Sequence, residues 1–161
     1  MGRLDIDYEK IGLKVGIEIH QQLDSSQKLF CNCPNQISDD ISEISFTRKL
    51  RATQSEMGEV DRAALFEFEK GRTIRYESSA KTSCLVEMDE EPPHDLNQEA
   101  VDIALTIALI INAKPIDEIH VMRKIVIDGS NTSGFQRTCV VAMNGFLKID
   151  DLEVPIQHIA L

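Results

Sequence analysis

The chain has 161 residues, with 17 Lys and Arg against 27 Asp and Glu, so its formal net charge is −10. Its 42% hydrophobic and 27% charged residues exclude a disordered or collagen-like polypeptide, and the length suffices for one domain with a buried core. The longest apolar run, residues 103–111, falls short of the roughly 18 residues that a membrane span needs. Without a secretory signal either, a cytoplasmic protein with no membrane attachment is expected, and its acidity weighs against nucleic acid.

The first half of the chain contains one clear strand pattern. Residues 1–11 are expected to form a flexible arm, and residues 13–20 then alternate apolar with polar side chains, which predicts a half-buried strand. Residues 21–47 are rich in Gln, Ser, Asn and Asp and predict a loop. Further along, the sequence predicts a short helix over 60–70 and a second strand over 72–77. The helix boundaries are indicated by Asp61 and Gly71.

The strongest helix pattern covers residues 96–113. Asp95 or Asn97 can supply the side-chain oxygen that caps its first turn. Its polar side chains form one narrow stripe and its other positions are apolar, which predicts a helix buried on most sides. The stripe consists of Glu99, Asp102 and Thr106.

The last third of the chain predicts strands. Residues 118–128 indicate a long strand, and residues 138–149 indicate a hairpin that turns at the Asn-Gly dipeptide 144–145. A final strand over 154–159 contains Pro155 and is therefore expected at a sheet edge. Because strands dominate around one major helix, we predict an α+β fold with a mostly antiparallel sheet and one major buried helix.

The chain stops at Leu161 in the middle of the last predicted strand, without a polar tail or a turn signal. Residues 1–161 are therefore expected to be one N-terminal domain of a longer protein, truncated at its C-terminal edge.

Four cysteines offer a possible metal site. Cys31 and Cys33 flank one residue in a polar loop, a pair that can chelate zinc when two more ligands come from elsewhere. Cys84 is the third candidate, and Glu87 or a histidine is needed as the fourth. Cys139 lies in an apolar run and is expected to be a core residue. The alternative is a loop whose thiols bind nothing, in keeping with reduced cysteines in a chain without a secretory signal.

Glu18 and His20 lie two residues apart and so share one face of the first predicted strand. A carboxylate and an imidazole side by side can hold a divalent cation, although magnesium would need at least one more carboxylate. The alternative is an ordinary solvated strand face.

The segment 123–137 is the second candidate for chemistry. Arg123 and Lys124 end a predicted strand and lead into a loop with two glycines and several hydroxyl and amide side chains. Backbone N–H donors beside fixed positive charge suit a polyphosphate. The alternative is a long polar turn.

These stretches resemble the archaeal E-type branch of the B/E subunit family of glutamyl-tRNA(Gln) amidotransferases. The resemblance covers nearly the whole chain from Gly12 onward. It is carried by residues 12–23, 28–31, 121–124 and 128–138, and residues 58–68 and 85–94 separate the chain from the bacterial B-type members.

The resemblance implies an ATP- and magnesium-dependent carbon–nitrogen ligase of class EC 6.3.5 with a cradle-like catalytic domain. Such an enzyme phosphorylates glutamate misacylated on tRNA(Gln) and then amidates it to glutaminyl-tRNA(Gln). The ammonia comes from glutamine or asparagine through a partner, the asparaginase-like D-type amidohydrolase subunit, so a hetero-oligomer is implied.

Residue by residue, the resemblance implies that Glu18 and His20 hold magnesium in the kinase site. Contacts to ATP phosphates or to the tRNA 3′ end are implied for Arg123, Lys124, Ser130, Asn131, Gly134 and Gln136. In the family a paired-carboxylate motif completes the metal site directly after the last strand, and here nothing follows Leu161. The isolated polypeptide is therefore expected to be inactive.

The alternative is a non-catalytic fragment derived from such a subunit. It would be stabilised by zinc on Cys31, Cys33 and Cys84, or dock a partner through the acidic turn 87–91. Family members of the B type can carry a structural zinc, but here Glu87 stands where a second Cys-x-x-Cys would close.

Overall fold

The computed structural model describes residues 6–37, 43–52, 54 and 57–161. The described residues form two helices and three small antiparallel sheets, which confirms the α+β prediction. No helix in this part of the chain has the length and apolar character to cross a bilayer. The elements are β1 (Ile44–Lys49), α1 (Arg62–Glu69), β2 (Thr73–Ser78), α2 (Gln98–Ile110), β3 (Lys114–Pro115), β4 (Met122–Ile125), β5 (Phe135–Thr138), β6 (Val140–Ile149) and β7 (Leu152–Ala160).

The main core lies between α2 and the sheet β3-β6-β7. The helix begins at Asn97, whose side-chain oxygen accepts hydrogen bonds from the backbone N–H groups of Glu99 and Ala100, at 2.9 and 3.4 Å. It buries a face made of Ala100, Val101, Ala104 and Ala108. The prediction of burial on most sides is wrong, because only one side of the helix meets a sheet in the described structure. Leu109 and Ile110 are 72% and 71% exposed.

The first sheet pairs β1 with β2. Helix α1 leads into it, with Asp61 accepting from the N–H of Ala64 at 2.9 Å and Gly71 at a φ of 65°, so both boundary signals are confirmed. Strand β1 begins inside the segment 21–47 predicted as loop and ends two residues beyond it. It is stabilised across the ladder by Phe46, whose ring stacks on that of Tyr76 with centroids 5.4 Å apart.

The predicted strand at 13–20 is wrong. This segment has no regular secondary structure and belongs to no sheet, and all its residues are exposed; Ile17 and Ile19 are each 84% exposed. A strand pattern forms a strand only when a neighbour supplies the hydrogen bonds, and no described strand lies beside this one.

Of the predicted arm, residues 1–5 lie outside the described residues. The rest contains turns, with the Leu13 N–H donating to the Tyr8 carbonyl at 3.1 Å.

The long strand predicted over 118–128 is shorter in the structure. Only β4 is regular, and it pairs with β5 across the loop 126–134. This arrangement places the predicted phosphate loop at the end of a two-stranded ladder.

The hairpin predicted at 144–145 is also wrong. Strand β6 continues through both residues and turns instead at 150–151, where Ile149 pairs with Leu152 and Asp150 has a φ of 53°. Gly145 packs against the end of α2, where an added Cβ would lie 2.9 Å from the Cβ of Ala113. The absence of a side chain at Gly145 therefore allows β6 to approach the end of α2 closely, and it does not serve a turn.

The predicted edge strand is confirmed, since β7 pairs only with β6 in the described structure and contains Pro155. Beyond β7, Leu161 exchanges two backbone hydrogen bonds with Cys139, each 2.9 Å long. The predicted core position of Cys139 is confirmed by its complete burial.

Candidate functional site

Three cysteines and one glutamate converge from two distant loops. Cys31 and Cys33 lie in a tight loop closed by a 3.0 Å hydrogen bond from the Lys28 N–H to the Cys33 carbonyl. Cys84 and Glu87 lie in a turn in which the Glu87 N–H donates to the Cys84 carbonyl at 3.2 Å. The ligand atoms of all four residues lie within 4.8 Å of one another. The fold thus brings together the donors that the zinc prediction named.

The surroundings of this cluster orient Glu87. One carboxylate oxygen pairs with the ammonium of Lys28, which also donates to the Thr82 carbonyl. The other accepts from the Cys84 N–H at 3.3 Å. Three sulfurs and one carboxylate oxygen are a donor set suited to tetrahedral zinc.

Without a metal, the thiols of Cys31 and Cys33 resist ionisation. Burial raises the pKa of Cys31, and burial together with hydrogen bonds to Cys84 and Cys31 raises the pKa of Cys33 to about 12. A thiolate here needs a cation beside it, and a bound metal would supply that charge by displacing the thiol protons.

Glu18 and His20 meet on the exposed segment 13–20. The Nε2 of His20 lies 3.2 Å from the Oε1 of Glu18, and their side chains are 77% and 74% exposed. No third His, Cys, Asp or Glu among the described residues joins them in a metal-binding group. The structure thus brings the two side chains together, and a magnesium site at this pair stays a prediction.

Hydrogen bonds and close packing hold the loop 126–134 against its surroundings. The Thr132 hydroxyl donates to the Glu87 carbonyl at 2.8 Å, so the loop is joined directly to the turn that carries the cysteine cluster. The Tyr76 hydroxyl donates to the Asn131 carbonyl at 3.2 Å. Gly129, at a φ of 86°, packs so closely on Ile74 that a Cβ would lie 2.8 Å from its Cγ1.

One expected donor in this loop is already occupied. The Ser130 N–H donates to a carboxylate oxygen of Asp128 at 2.9 Å, and the hydrogen bonds from Ser130 lower the pKa of Asp128. A polyphosphate would thus compete with an internal carboxylate for this N–H. The predicted contact residues divide into two groups: Arg123, Lys124 and Gln136 on the β4–β5 ladder, and Ser130, Asn131 and Gly134 in the loop.

An open cleft of about 390 Å³ lies beside the ladder. One wall comes from β4 and β5, including Arg123 and Arg137, and the other comes from Phe30 and residues 93–96. Sequence reasoning did not place Phe30 or His94 near the basic residues, since 29 or more positions separate each of them from Arg123. The sequence carried a signal only for the other wall. Residues two apart on a strand share a face, so Arg123, Phe135 and Arg137 fall on one face of the two-stranded ladder.

Comparison with known proteins agrees with these motifs. Residues 13–161 match the family of GatB/GatE catalytic domains. The chain is 55% identical over 156 residues to the E-type subunit of glutamyl-tRNA(Gln) amidotransferase from Aeropyrum pernix, covering 97% of this chain and 24% of that relative. The corresponding protein of Methanococcus maripaludis is 55% identical over 158 residues, covering 98% and 25%, and that of Saccharolobus islandicus 57% over 157 residues, covering 98% and 24%.

The chain therefore spans about a quarter of the length of these relatives. Within that quarter, more than half of the positions are identical. Such identity over nearly the whole sequence, together with the family match, shows that the chain belongs to the GatB/GatE catalytic-domain family.

Proposed function

We propose that this chain is the N-terminal catalytic portion of an E-type amidotransferase subunit, which converts glutamate on tRNA(Gln) into glutamine at the expense of ATP. The observation that carries the proposal is the 55–57% identity to archaeal subunits of this type over 97–98% of the chain. A cytoplasmic hetero-oligomer follows from the proposal, with an asparaginase-like D-type subunit as the source of ammonia.

The proposed reaction has two steps. A carboxylate resists attack by ammonia because its oxygen is a poor leaving group, so its oxygen first attacks the γ-phosphorus of ATP and ADP departs. Ammonia then attacks the carbonyl carbon of the acyl phosphate, inorganic phosphate leaves with the C–O bond electrons, and a proton is lost. Such a reaction requires positioning and charge neutralisation rather than a nucleophile on the protein.

The chain's own residues divide this work. Glu18 and His20 offer an oxygen and a nitrogen ligand to magnesium, which when bound would neutralise phosphate charge. We assign contacts with the phosphates or the tRNA 3′ end to six residues: Arg123, Lys124 and Gln136 on the ladder, and Ser130, Asn131 and Gly134 in the loop. The further carboxylate that magnesium requires is not among the described neighbours of Glu18 and His20.

The test is His20→Ala in the full-length protein, assembled with its partner and assayed for ATP-dependent amidation of Glu-tRNA(Gln). We expect a loss of at least about 10- to 100-fold, since removing even a residue that only supports a metal ligand typically lowers activity by that order. His120→Ala is the matched control, because His120 forms a similar exposed pair with Glu118 two residues away, at 3.3 Å. Equal activity of the two variants would contradict the proposal.

The isolated 161 residues are expected to show negligible amidation. The reason is the incomplete ligand set at Glu18 and His20. Sustained ATP-dependent amidation by this polypeptide alone would refute that expectation.

A second candidate function is favoured by the cysteine cluster. We propose that Cys31, Cys33, Cys84 and Glu87 bind a structural zinc, which could serve either the enzyme or a non-catalytic fragment. Zinc measured by elemental analysis should approach one per chain and be lost in Cys31→Ser. It should persist in Cys139→Ala, which removes a thiol outside the cluster. Equal zinc contents in the two variants would argue against the site.

The acidic turn is less suited to docking a partner than its charge indicates. Two of its carboxylates already pair with cationic side chains elsewhere in the chain: Glu87 with Lys28, and Glu90 with Arg48. Their charge is therefore used mainly to join this turn to other elements.

A further inference from the structure

Glu87 makes contacts in two directions. Its side chain is one of the four donors of the cysteine cluster. Its backbone carbonyl accepts the 2.8 Å hydrogen bond from the Thr132 hydroxyl, which comes from the loop 126–134. Both residues are half-buried, and 45 positions separate them in the chain. The hydrogen bond is therefore a tertiary contact between the cluster and the loop.

Hydrogen bonds hold the turn 84–90 around Glu87. The Glu87 N–H donates to the Cys84 carbonyl at 3.2 Å, and the Glu90 N–H donates to the Leu85 carbonyl at 2.9 Å. The direction of the Glu87 carbonyl thus depends on the geometry of this turn. A metal held by the Cys84 thiolate and the Glu87 carboxylate would restrict the turn further, because both ligands belong to it.

Thr132 lies at the tip of the loop 126–134. Asn131 precedes it directly, and Ser130 and Gly134 lie two residues away, so three of the residues assigned to substrate contacts are its close neighbours. The Gly134 N–H donates to the Asn131 carbonyl at 3.2 Å, which closes a turn around Thr132. A displacement of Thr132 therefore moves these neighbours as well.

Two other contacts hold the loop, and both lead to β2. The Tyr76 hydroxyl donates to the Asn131 carbonyl at 3.2 Å, and Gly129 packs on the side chain of Ile74. Neither contact involves a residue of the cysteine cluster. Among these three attachments, the Thr132 hydroxyl is therefore the one through which the state of the cluster can reach the loop.

We propose that the cysteine cluster positions the loop 126–134 through the hydrogen bond between Thr132 and Glu87, so that zinc binding and ordering of the loop reinforce each other. Thr132 is thereby a positioning residue, which acts through Glu87 on one side and Asn131 on the other. This coupling rests on the proposed function of the loop and on the proposed zinc site. Because coupling between two sites is reciprocal, a change at Thr132 should alter zinc affinity as well as substrate binding.

The first experiment measures the zinc affinity of the full-length protein by competition with a chromophoric chelator. Thr132→Val removes the hydroxyl and keeps a branched side chain, and it should weaken zinc binding about three- to tenfold, as expected for one lost hydrogen bond. Thr132→Ser keeps the donor and should retain the wild-type affinity. Ser133→Ala is the control and should also retain it, because the Ser133 hydroxyl donates to the Phe135 carbonyl on β5, at 3.1 Å.

The second experiment measures KM for ATP and for Glu-tRNA(Gln) with the assembled enzyme, before and after treatment with a zinc-selective chelator in excess magnesium. Thr132→Val and zinc removal should each raise at least one KM about threefold or more, with a smaller change in kcat. Together they should raise it little further, because both interrupt the same link. Additive effects would contradict the coupling, since they are expected if Thr132 only stabilises the fold.

Equal zinc affinities of folded Thr132→Val and Ser133→Ala would overturn the coupling even if the enzyme amidates normally. Should Thr132→Val fail to fold, as judged by a thermal unfolding curve, Thr132→Ala replaces it in the same comparison. A cluster that binds no zinc would overturn the coupling together with the proposed metal site. Conversely, normal amidation by His20→Ala would remove the proposed function, whereas a loss of zinc affinity in Thr132→Val would still support the link between cluster and loop.

Discussion

Gly145 shows how one position can serve a purpose that its local sequence does not indicate. The Asn-Gly pair at 144–145 favours a two-residue turn, yet β6 continues through it, with Asn144 at a φ of 58°. An added Cβ at Gly145 would lie 2.9 Å from Ala113 and 3.0 Å from the Cδ1 of Ile111. Local preference could not predict this, because the deciding contacts come from a helix end more than 30 residues earlier in the chain.

Gly145→Ala is therefore expected to lower the free energy of unfolding by about 1–3 kcal/mol, the usual range for an overpacked core. For a domain of this size, the midpoint of thermal unfolding should fall by a few degrees per kcal/mol. Gly16→Ala is the control, since an added Cβ at Gly16 meets nothing within 4 Å. A similar melting temperature for both variants would show that the α2 end yields easily to the extra methyl group.

The cysteine cluster could be predicted only in part from its residues. The Cys-x-Cys spacing, with Cys84 and Glu87 as candidates, indicates which donors to consider. Their convergence depends on two loops about 50 residues apart, which contact each other only in the folded chain. The sequence could therefore name the ligands without showing that they meet.

At the scale of elements, helices were the most predictable part of the fold. Helix α1 begins at the expected Asp61, and α2 begins at Asn97, one of its two candidate caps, because a cap is a local interaction that the sequence carries within four residues. The exposure of α2 was not predictable in the same way. An apolar helix surface shows that burial is possible, but the number of covering sheets is set by the rest of the fold.

The start of α2 is also joined to the loop that precedes the cysteines. A carboxylate oxygen of Glu99 accepts from the Ser26 hydroxyl at 2.7 Å and from the Ser26 N–H at 2.8 Å. These two hydrogen bonds lower the pKa of Glu99 below its usual 4.5. The Asn97 side-chain amide adds a 2.9 Å hydrogen bond to the Gln27 carbonyl.

This arrangement predicts a pH-dependent contribution to stability. Because the folded pKa of Glu99 is depressed, its contribution is present above pH 4.5 and is lost as the pH falls through the folded value. Glu99→Gln should therefore melt below the wild type at pH 7, and the gap should narrow as the pH falls below 4.5. In Ser26→Ala, an NMR titration should show the pKa of Glu99 moving back toward 4.5; an unchanged value would contradict the assignment.

At the scale of the whole molecule, the described chain leaves an apolar row uncovered. Val15, Ile17 and Ile19 are 78%, 84% and 84% exposed on a segment without sheet partners. The alternation at 13–20 is a genuine strand pattern, but a ladder requires a second strand that no local pattern specifies. The relatives that the chain matches are about four times as long and so contain polypeptide beyond the matched quarter.

Exposed backbone without sheet pairing should be cut early by proteases. In the 161-residue chain, trypsin is expected to cleave after Lys14 well before it cleaves after Lys148, which lies within the β6–β7 ladder. Mass spectrometry of a time course would identify the first fragments, and Lys14→Gln should remove the early one. If the peptide bonds after Lys14 and Lys148 were cut at equal rates, the segment 13–20 would be protected from the protease, against this expectation.

The β4–β5 ladder has a consequence for hydrogen exchange. It is a two-stranded sheet with no third strand in the described structure, and its opposed arginines, Arg123 and Arg137, repel each other. Such a ribbon should open locally more often than β6 and β7, so its amides should exchange with deuterium sooner than those of the main sheet. An anion bound between the arginines would remove the repulsion and slow that exchange, so occupancy of the cleft could be followed amide by amide even when no turnover takes place.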